Sequence, residues 1–232
     1  MSVAKPLPHD AAPLHVTGAA RYVDDMPTPA GTLHLAFGMS TAASGTLTGM
    51  DLDAVRAAPG VIAVLTANDL PFDNDVSPSA HDEPLLATDD VHYMGQPVFL
   101  VIAETHLQAR FAARQGSINI AETKPIFTIE DALAADARFE DGPRIYAQGD
   151  AASALDAAEN TLSGSLEIGG QEHFYLEGQA ALVLPGENGD MHVISSTQHP
   201  TEIQHKVAEA SGQHMHAVRG ETRRMGGGFG GK

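Results

Sequence analysis

The chain has 232 residues, is 43% apolar by residue type and has a mean hydropathy of −0.12, which suits a globular protein of one or two cored domains. Thirteen Lys and Arg against thirty Asp and Glu give a formal net charge of −17, which argues against nucleic acid and anionic membranes as partners, because both need a positive face. There is no cysteine, so these residues supply no disulfide, no thiolate metal site and no iron–sulfur ligand.

In chain order, residues 1–13 are rich in Pro and Ala and are expected to lie extended on a surface. They contain no apolar stretch of the kind a secretory signal needs, and no run in the sequence approaches a membrane span. The expected compartment is the cytoplasm. The Val16–Pro27 stretch reads as a turn, a short strand and a turn, and the Leu33–Met39 stretch as a strand. Asp51–Ala58 is expected to form a short helix with Asp51 or Asp53 near its cap, ended by Pro59-Gly60. Val61–Thr66 reads as a buried strand and Asn68–Pro84 as a long surface loop.

Pro97–Ala103 reads as a central strand, Thr105–Gln115 as a helix with Leu107, Phe111 and Ala112 on its apolar side, and Ser117–Ala121 as an alternating strand. That order predicts a β-α-β unit with a right-handed crossover. Thr128 is expected to cap a helix over Ile129–Ala135, followed by a loop to Asp141. A first domain is expected to end near residue 125 and a second to begin after about 140. Within the second, Leu162–Ile168 and Gln179–Leu184 read as strands, the latter joined through the turn at Gly186–Gly189 to Asp190–Ser195. Thr201–Ala210 reads as a helix with Ile203, Val207 and Ala210 on one face and Gly212 as its stop. His216–Arg224 reads as a strand with one wet face.

The chain closes on Met225-Gly226-Gly227-Gly228-Phe229-Gly230-Gly231-Lys232. Such a run is costly in a helix or strand and offers backbone N–H groups to a ligand at close range. Gly226-x-Gly228-x-x-Gly231 fits a dinucleotide fingerprint, and Gly226 with Gly231-Lys232 fits a P-loop up to its Ser/Thr. Both need a buried apolar strand before the loop and a helix after it, and His216–Arg224 is too polar for such a strand. A loose glycine-rich tail is the third reading, against which Phe229 stands. The run reads as a site met partway through.

The loop has company upstream in Ile168-Gly169-Gly170-Gln171-Glu172-His173-Phe174-Tyr175-Leu176-Glu177-Gly178-Gln179. With that segment, the chain resembles the molybdenum-binding part of the xanthine oxidase family of molybdenum hydroxylases. Four other stretches agree in order and spacing: Val16–Asp25, Pro59–Thr66, Gly95–Glu104 and Ser196–Glu202. The resemblance implies an α/β (α+β) fold, in which residues 14–125 form a hammerhead-like α/β domain and residues 140–232 begin a molybdopterin-binding domain. It implies hydroxylation of an electron-poor purine carbon, as in hypoxanthine and xanthine, with oxygen from water. It also implies a partner subunit carrying iron–sulfur clusters and FAD that passes electrons to NAD, hence a hetero-oligomer. An aldehyde or N-heterocycle hydroxylase of the same family and a non-catalytic docking piece are the alternatives.

The resemblance assigns two residues to the molybdenum. Gln171 corresponds to the family's glutamine beside the metal, and Phe229 to the residue whose backbone N–H reaches an oxygen ligand. Gly228, Gly230 and Gly231 correspond to glycines that bring backbone close to the pterin. A neutral amide can donate to an anionic oxygen without adding charge. The family's general base is a glutamate directly after the lysine, a position beyond Lys232, so the resemblance assigns no catalytic residue within this sequence, and Glu172 and Glu177 match other positions. Among the histidines, His214 and His216 would share a strand face but lack an evident third ligand. His173, His199 and His205 read as packing or incidental, and Arg223 and Arg224 as a solvated strand end.

Overall fold

The computed structural model describes residues 3–78, 80–138, 142 and 144–232. They fall into two compact units, one made of the residues up to Thr123 together with His173–Lys232, the other of Lys124–Glu172.

The larger unit opens with α1 (Ala12–Val16), one turn of helix that begins at the end of the stretch, residues 1–13, expected to be extended. The strand expected within Val16–Pro27 is instead a 3₁₀ turn at Val23–Asp25, because the Asp25 carboxylate accepts the Tyr22 N–H at 3.0 Å and curls the chain back. Then come β1 (His34–Met39), β2 (Gly45–Asp51), α2 (Asp53–Arg56), β3 (Val61–Leu65), β4 (Asp90–Val91), β5 (Pro97–Ala103), α3 (His106–Ala113) and β6 (Ser117–Glu122). The N-cap of α2 is Leu52, without a side-chain capping bond; Asp51, one residue earlier, accepts the Asp53 N–H at 3.0 Å.

Two three-stranded antiparallel sheets result, ordered β1-β5-β3 and β4-β2-β6. β5 is central, as its apolar run predicts, and buries Val98, Phe99, Val101 and Ala103 completely. The parallel β-α-β unit expected here does not form. β5 and β6 sit in different sheets, and β6 runs antiparallel to β2 from Gly45↔Glu122 to Asp51↔Ser117. The chain makes that turn over the Phe99 ring at Gly116, where a Cβ would lie 2.5 Å from Phe99 Cζ. A Cβ at Gly38 on β1 would lie 2.0 Å from the same atom. The two glycines therefore flank a slot that the ring fills.

α3 also presents a different face from the one expected. It packs on β1 and β5 through Ala109 and Ala112, both fully buried, while Leu107 and Phe111 remain about two-thirds exposed, at 65% and 64%. Small side chains let the helix lie close to the sheet. The core of this region is Leu52, Val55, Ala87, Val98, Phe99, Val101 and Ala112, without a titratable group.

The Lys124–Glu172 unit holds α4 (Ile129–Ala134) and α5 (Ala151–Asp156). Thr128 caps α4, its hydroxyl accepting the Asp131 N–H at 3.0 Å, and Asp150 caps α5 through the Ser153 N–H at 3.0 Å. Leu162–Ile168, expected as a strand, is irregular and exposed, because among the described residues no strand lies alongside to take up its backbone groups. The expected domain start at 140 and the loop end at Asp141 lie outside the described residues.

From His173 the chain rejoins the larger unit. β7 (Ala181–Pro185) and β8 (Met191–Ser195) form the expected antiparallel hairpin. α6 (Pro200–Ser211) then crosses to β9 (Val218–Glu221), which lies parallel to β8. A β-α-β crossover thus exists, but here. Val193, Ala208 and Val218 are its buried centre, with Ile203 and Val207 against them; Ala208, not Ala210, carries the helix's buried face. Gly212 ends α6 in the left-handed region at φ 67°. His199 is not incidental, since its Nδ1 accepts the Glu202 N–H at 3.0 Å and caps α6. Val23 packs with Leu182 and Ile194, which seats the N-terminal segment on this last sheet. No helix among the described residues is long and apolar enough to cross a membrane.

Candidate functional site

β9 runs out at Glu221, and the glycine loop begins four residues later. Its first glycines are packed tightly. A Cβ at Gly226 would lie 2.4 Å from Glu177 Cβ, one at Gly227 2.4 Å from Tyr175 Cβ, and one at Gly228 2.7 Å from Gln198 Cδ. The loop lies directly against Tyr175, Glu177 and Gln198, and any side chain would lift it off. Phe229 takes φ 51°, unusual for a residue with a Cβ, and its ring is 76% exposed.

Four of the loop's N–H groups are occupied. Gly226 donates to Glu177 Oε2 at 2.7 Å, Gly230 to Gln198 Oε1 at 2.9 Å, Gly231 to the Gly228 carbonyl at 2.8 Å, and Lys232 to Gln198 Oε1 at 3.4 Å. The Gln198 N–H returns a bond to the Lys232 carbonyl at 3.1 Å, and Gln179 Nε2 donates to the Gly231 carbonyl at 2.7 Å. Among the described residues, the N–H groups of Gly227, Gly228 and Phe229 have no acceptor. Three successive donors thus lie in a loop whose flanks are tied down, with Phe229 exposed, Gly227 half-buried and Gly228 buried; successive backbone donors of this kind suit a polar or anionic ligand edge.

Beneath the loop, Glu177 carries a small network. Its Oε2 also accepts Lys232 Nζ at 3.1 Å, its Oε1 accepts the Val23 N–H at 3.3 Å, and its own N–H donates to the Gly226 carbonyl at 3.2 Å. The Lys232 side chain is fully buried and that of Glu177 is 7% exposed. Lys232 Nζ stands 4.9 Å from the centre of the Tyr175 ring. Burial alone would raise the Glu177 carboxyl. The Gly226 N–H, the Lys232 ammonium and the Val23 N–H together hold it below the usual glutamate range. This geometry disposes of the P-loop reading, because the lysine that would face phosphates is turned inward onto a carboxylate.

Of the residues predicted for the site, Gly228, Phe229, Gly230 and Gly231 share this one loop. Gln171 belongs to the Lys124–Glu172 unit and is exposed in its irregular closing stretch. Sequence reasoning missed the supporting set of Tyr175, Glu177, Gln179 and Gln198. All four lie inside stretches that carry the resemblance, which is the signal that could have found them. His214 and His216 do meet, their rings stacked at 5.3 Å on a 3₁₀ turn rather than on a strand. Among the described residues no group of three or more His, Asp or Glu side chains could hold a metal ion. Arg223 pairs with Glu221 at 2.9 Å, and Arg224 Nη1 donates to the Arg21 carbonyl at 2.8 Å.

Comparison with known proteins fits these features. The family model for the aldehyde oxidase and xanthine dehydrogenase a/b hammerhead domain matches residues 17–124, and that for the molybdopterin cofactor-binding domain matches 138–232. Xanthine dehydrogenase of Oryza sativa subsp. japonica is 38% identical over all of this chain, that of Drosophila subobscura 39% over 99%, and aldehyde oxidase 1 of Cavia porcellus 40% over 99%. The chain spans 17% of the length of each of these relatives. Among solved structures, quinoline 2-oxidoreductase from Pseudomonas putida 86 superposes with a TM-score of 0.84 at 22% identity, over 99% of this chain and 31% of that one. The aldehyde oxidoreductase from Desulfovibrio gigas does so with 0.76 at 26% identity, over 91% and 25%.

Proposed function

Because the chain belongs to the xanthine oxidase family of molybdenum hydroxylases, we propose that it supplies the hammerhead domain, residues 14–125, and the first part of the molybdopterin-binding domain, from about residue 140, of a xanthine dehydrogenase. The observation that carries this reading is the glycine loop, in which the N–H groups of Gly227, Gly228 and Phe229 have no acceptor among the described residues and the flanks are tied to Glu177 and Gln198. Those donors, with Gly230 and Gly231 keeping side chains out of the way, fit the polar edge of a molybdopterin. When bound, that cofactor supplies the redox centre at which an electron-poor carbon is hydroxylated with oxygen from water.

In this reading the Phe229 N–H and, by the resemblance, the Gln171 amide would help to hold the cofactor by donating to its polar edge, while the Phe229 side chain stays exposed. Neither group takes a proton. The substrate is a purine, hypoxanthine or xanthine, and the activity belongs to purine breakdown in the cytoplasm. With no cysteine among these residues, the iron–sulfur ligands come from elsewhere; a partner subunit carrying those clusters and FAD, delivering electrons to NAD, completes a hetero-oligomer. Aldehyde oxidation is the second reading, favoured by the 40% identity to aldehyde oxidase 1.

The test is turnover by the full-length holoenzyme on xanthine, hypoxanthine, a simple aldehyde and quinoline. Xanthine or hypoxanthine is expected to have the highest kcat/KM, and preference for the aldehyde or for quinoline overturns the purine assignment. In the same enzyme, Gln171→Ala is expected to lower kcat by roughly a hundredfold to a thousandfold at full molybdenum content, the usual cost of one lost donor where negative charge develops. Unchanged kcat at full occupancy would remove Gln171 from the site.

A further inference from the structure

Glu177 and Lys232 contribute nothing to the reaction as described, yet they are the most deeply buried charged pair beside the loop, at 7% and 0% exposure. A carboxylate placed there solely to neutralise a lysine would need one contact. Glu177 instead engages three separate stretches of chain: Val23 near the start, Gly226 at the loop's entrance and Lys232 at its exit. The Glu177 N–H and the Gly226 carbonyl close the entrance contact from the other side. Between entrance and exit lie the three N–H groups that have no acceptor among the described residues.

We propose that Glu177 and Lys232 are positioning residues that clamp both ends of the glycine loop, so that the N–H groups of Gly227, Gly228 and Phe229 are held ready for the cofactor. The proposal deepens the reading of the loop as a molybdopterin cradle and rests on it. The logic is that of a bridge fixed at its abutments. Gln198 fastens the Gly230 and Lys232 amides, but a neutral amide cannot match a buried lysine, and Glu177 also ties the loop to the N-terminal segment through the Val23 N–H. Removing either member leaves the other as an uncompensated buried charge, which relaxes by moving toward water and takes the loop with it. Removing both charges relieves that pull, and a glutamine at position 177 keeps an oxygen for the Gly226 N–H.

The experiment compares the full-length enzyme with Glu177→Gln, Lys232→Met and the double variant. Two quantities are read: hydrogen exchange of the peptide covering residues 225–232, and molybdenum and pterin content after purification. Each single variant is expected to speed loop exchange at least tenfold and to lower cofactor content by about tenfold to a hundredfold, the range seen when groups that orient metal ligands are lost. The double variant is expected to recover most of both, because the loss comes from an unpaired charge. Loop exchange unchanged in the single variants, or losses that simply add in the double variant, would overturn the clamp. A general loss of stability would instead speed exchange across β5 and β8 alike. If the wild-type enzyme carries no molybdopterin yet the loop exchange follows the expected pattern, the clamp stands and the cofactor reading falls.

Discussion

Around Phe99 the protein is held by shape, and around Glu177 by charge. The ring of Phe99 fills a slot between Gly38 and Gly116 and belongs to an apolar core cluster without a titratable group. The Glu177 carboxylate sits under a loop of glycines that have no side chains to pack, and it accepts from two backbone amides and an ammonium. A strand core can be stabilised by area removed from water, at about 25 cal/mol per Å². A glycine loop has little apolar area to give, so its position must come from hydrogen bonds that are few, directional and costly to leave unmade. The strand core is therefore packed with carbon, and the loop, whose Gly227, Gly228 and Phe229 N–H groups have no acceptor among the described residues, is pinned at its ends.

The contrast can be broken first at Phe99. Phe99→Ala empties the slot and is expected to cost about 3–5 kcal/mol, read as a shift in the denaturant midpoint at constant slope. Hydrogen exchange of the 225–232 peptide should change less than that of β5. If both peptides lose protection to the same degree, the two regions are one cooperative unit and the distinction fails.

A milder strike at the same slot is Gly38→Ala. Its Cβ would stand 2.0 Å from Phe99 Cζ, so the ring or β1 has to shift. Overpacking of this kind costs about 1–3 kcal/mol, measurable by the same denaturant titration. The combination with Phe99→Ala should cost less than the sum, since the alanine then meets a cavity; additive losses would mean that the glycine serves β1 rather than the ring.

The smallest effect is the pH dependence. Glu177 is held below the ordinary glutamate value by the Gly226, Lys232 and Val23 contacts, which outweigh its burial. Arg223, foremost, together with His192 does the same for Glu221 against a smaller burial effect. A depressed carboxyl contributes its full stabilisation above its unfolded value, about 4.3, and loses it as pH falls through the lower folded value. Peptides covering 173–178 and 221–232 should lose protection in that acid window, after correction for intrinsic exchange, while the β5 peptide does not. Loss in β5 at the same pH, or none in the loop, would contradict the assignment.

The apolar half of this contrast was largely legible in the sequence. The run Pro97–Ala103 announces a central strand, the Thr128 hydroxyl announces a helix start, and the turn at Gly186–Gly189 announces the β7–β8 hairpin. These are local signals. Pairing is not local. Strand, helix and strand follow each other both at Pro97–Glu122 and at Met191–Glu221, yet only the second is a parallel crossover. The first failed because β2 offered β6 a six-residue antiparallel ladder, and nothing inside Pro97–Glu122 reveals that. The glycine loop and Gln171 were found through the resemblance and not from physics alone. The resemblance gives Glu177 only a position other than the family's base; its burial arises from Val23, Gly226 and Lys232 arriving from far along the chain.

The bond from the Val23 N–H to Glu177, the packing of Val23 on Leu182 and Ile194, and the hold of Arg224 on the Arg21 carbonyl all run from the start of the chain to its last sixty residues. The hammerhead region is accordingly not a detachable cassette. A chimera that swaps residues 14–125 between two members of the family would exchange one side of each of these contacts and keep the other. A graft that begins after Met26, leaving residues 14–26 with the recipient's own glycine loop, would respect the seam along which this chain is joined.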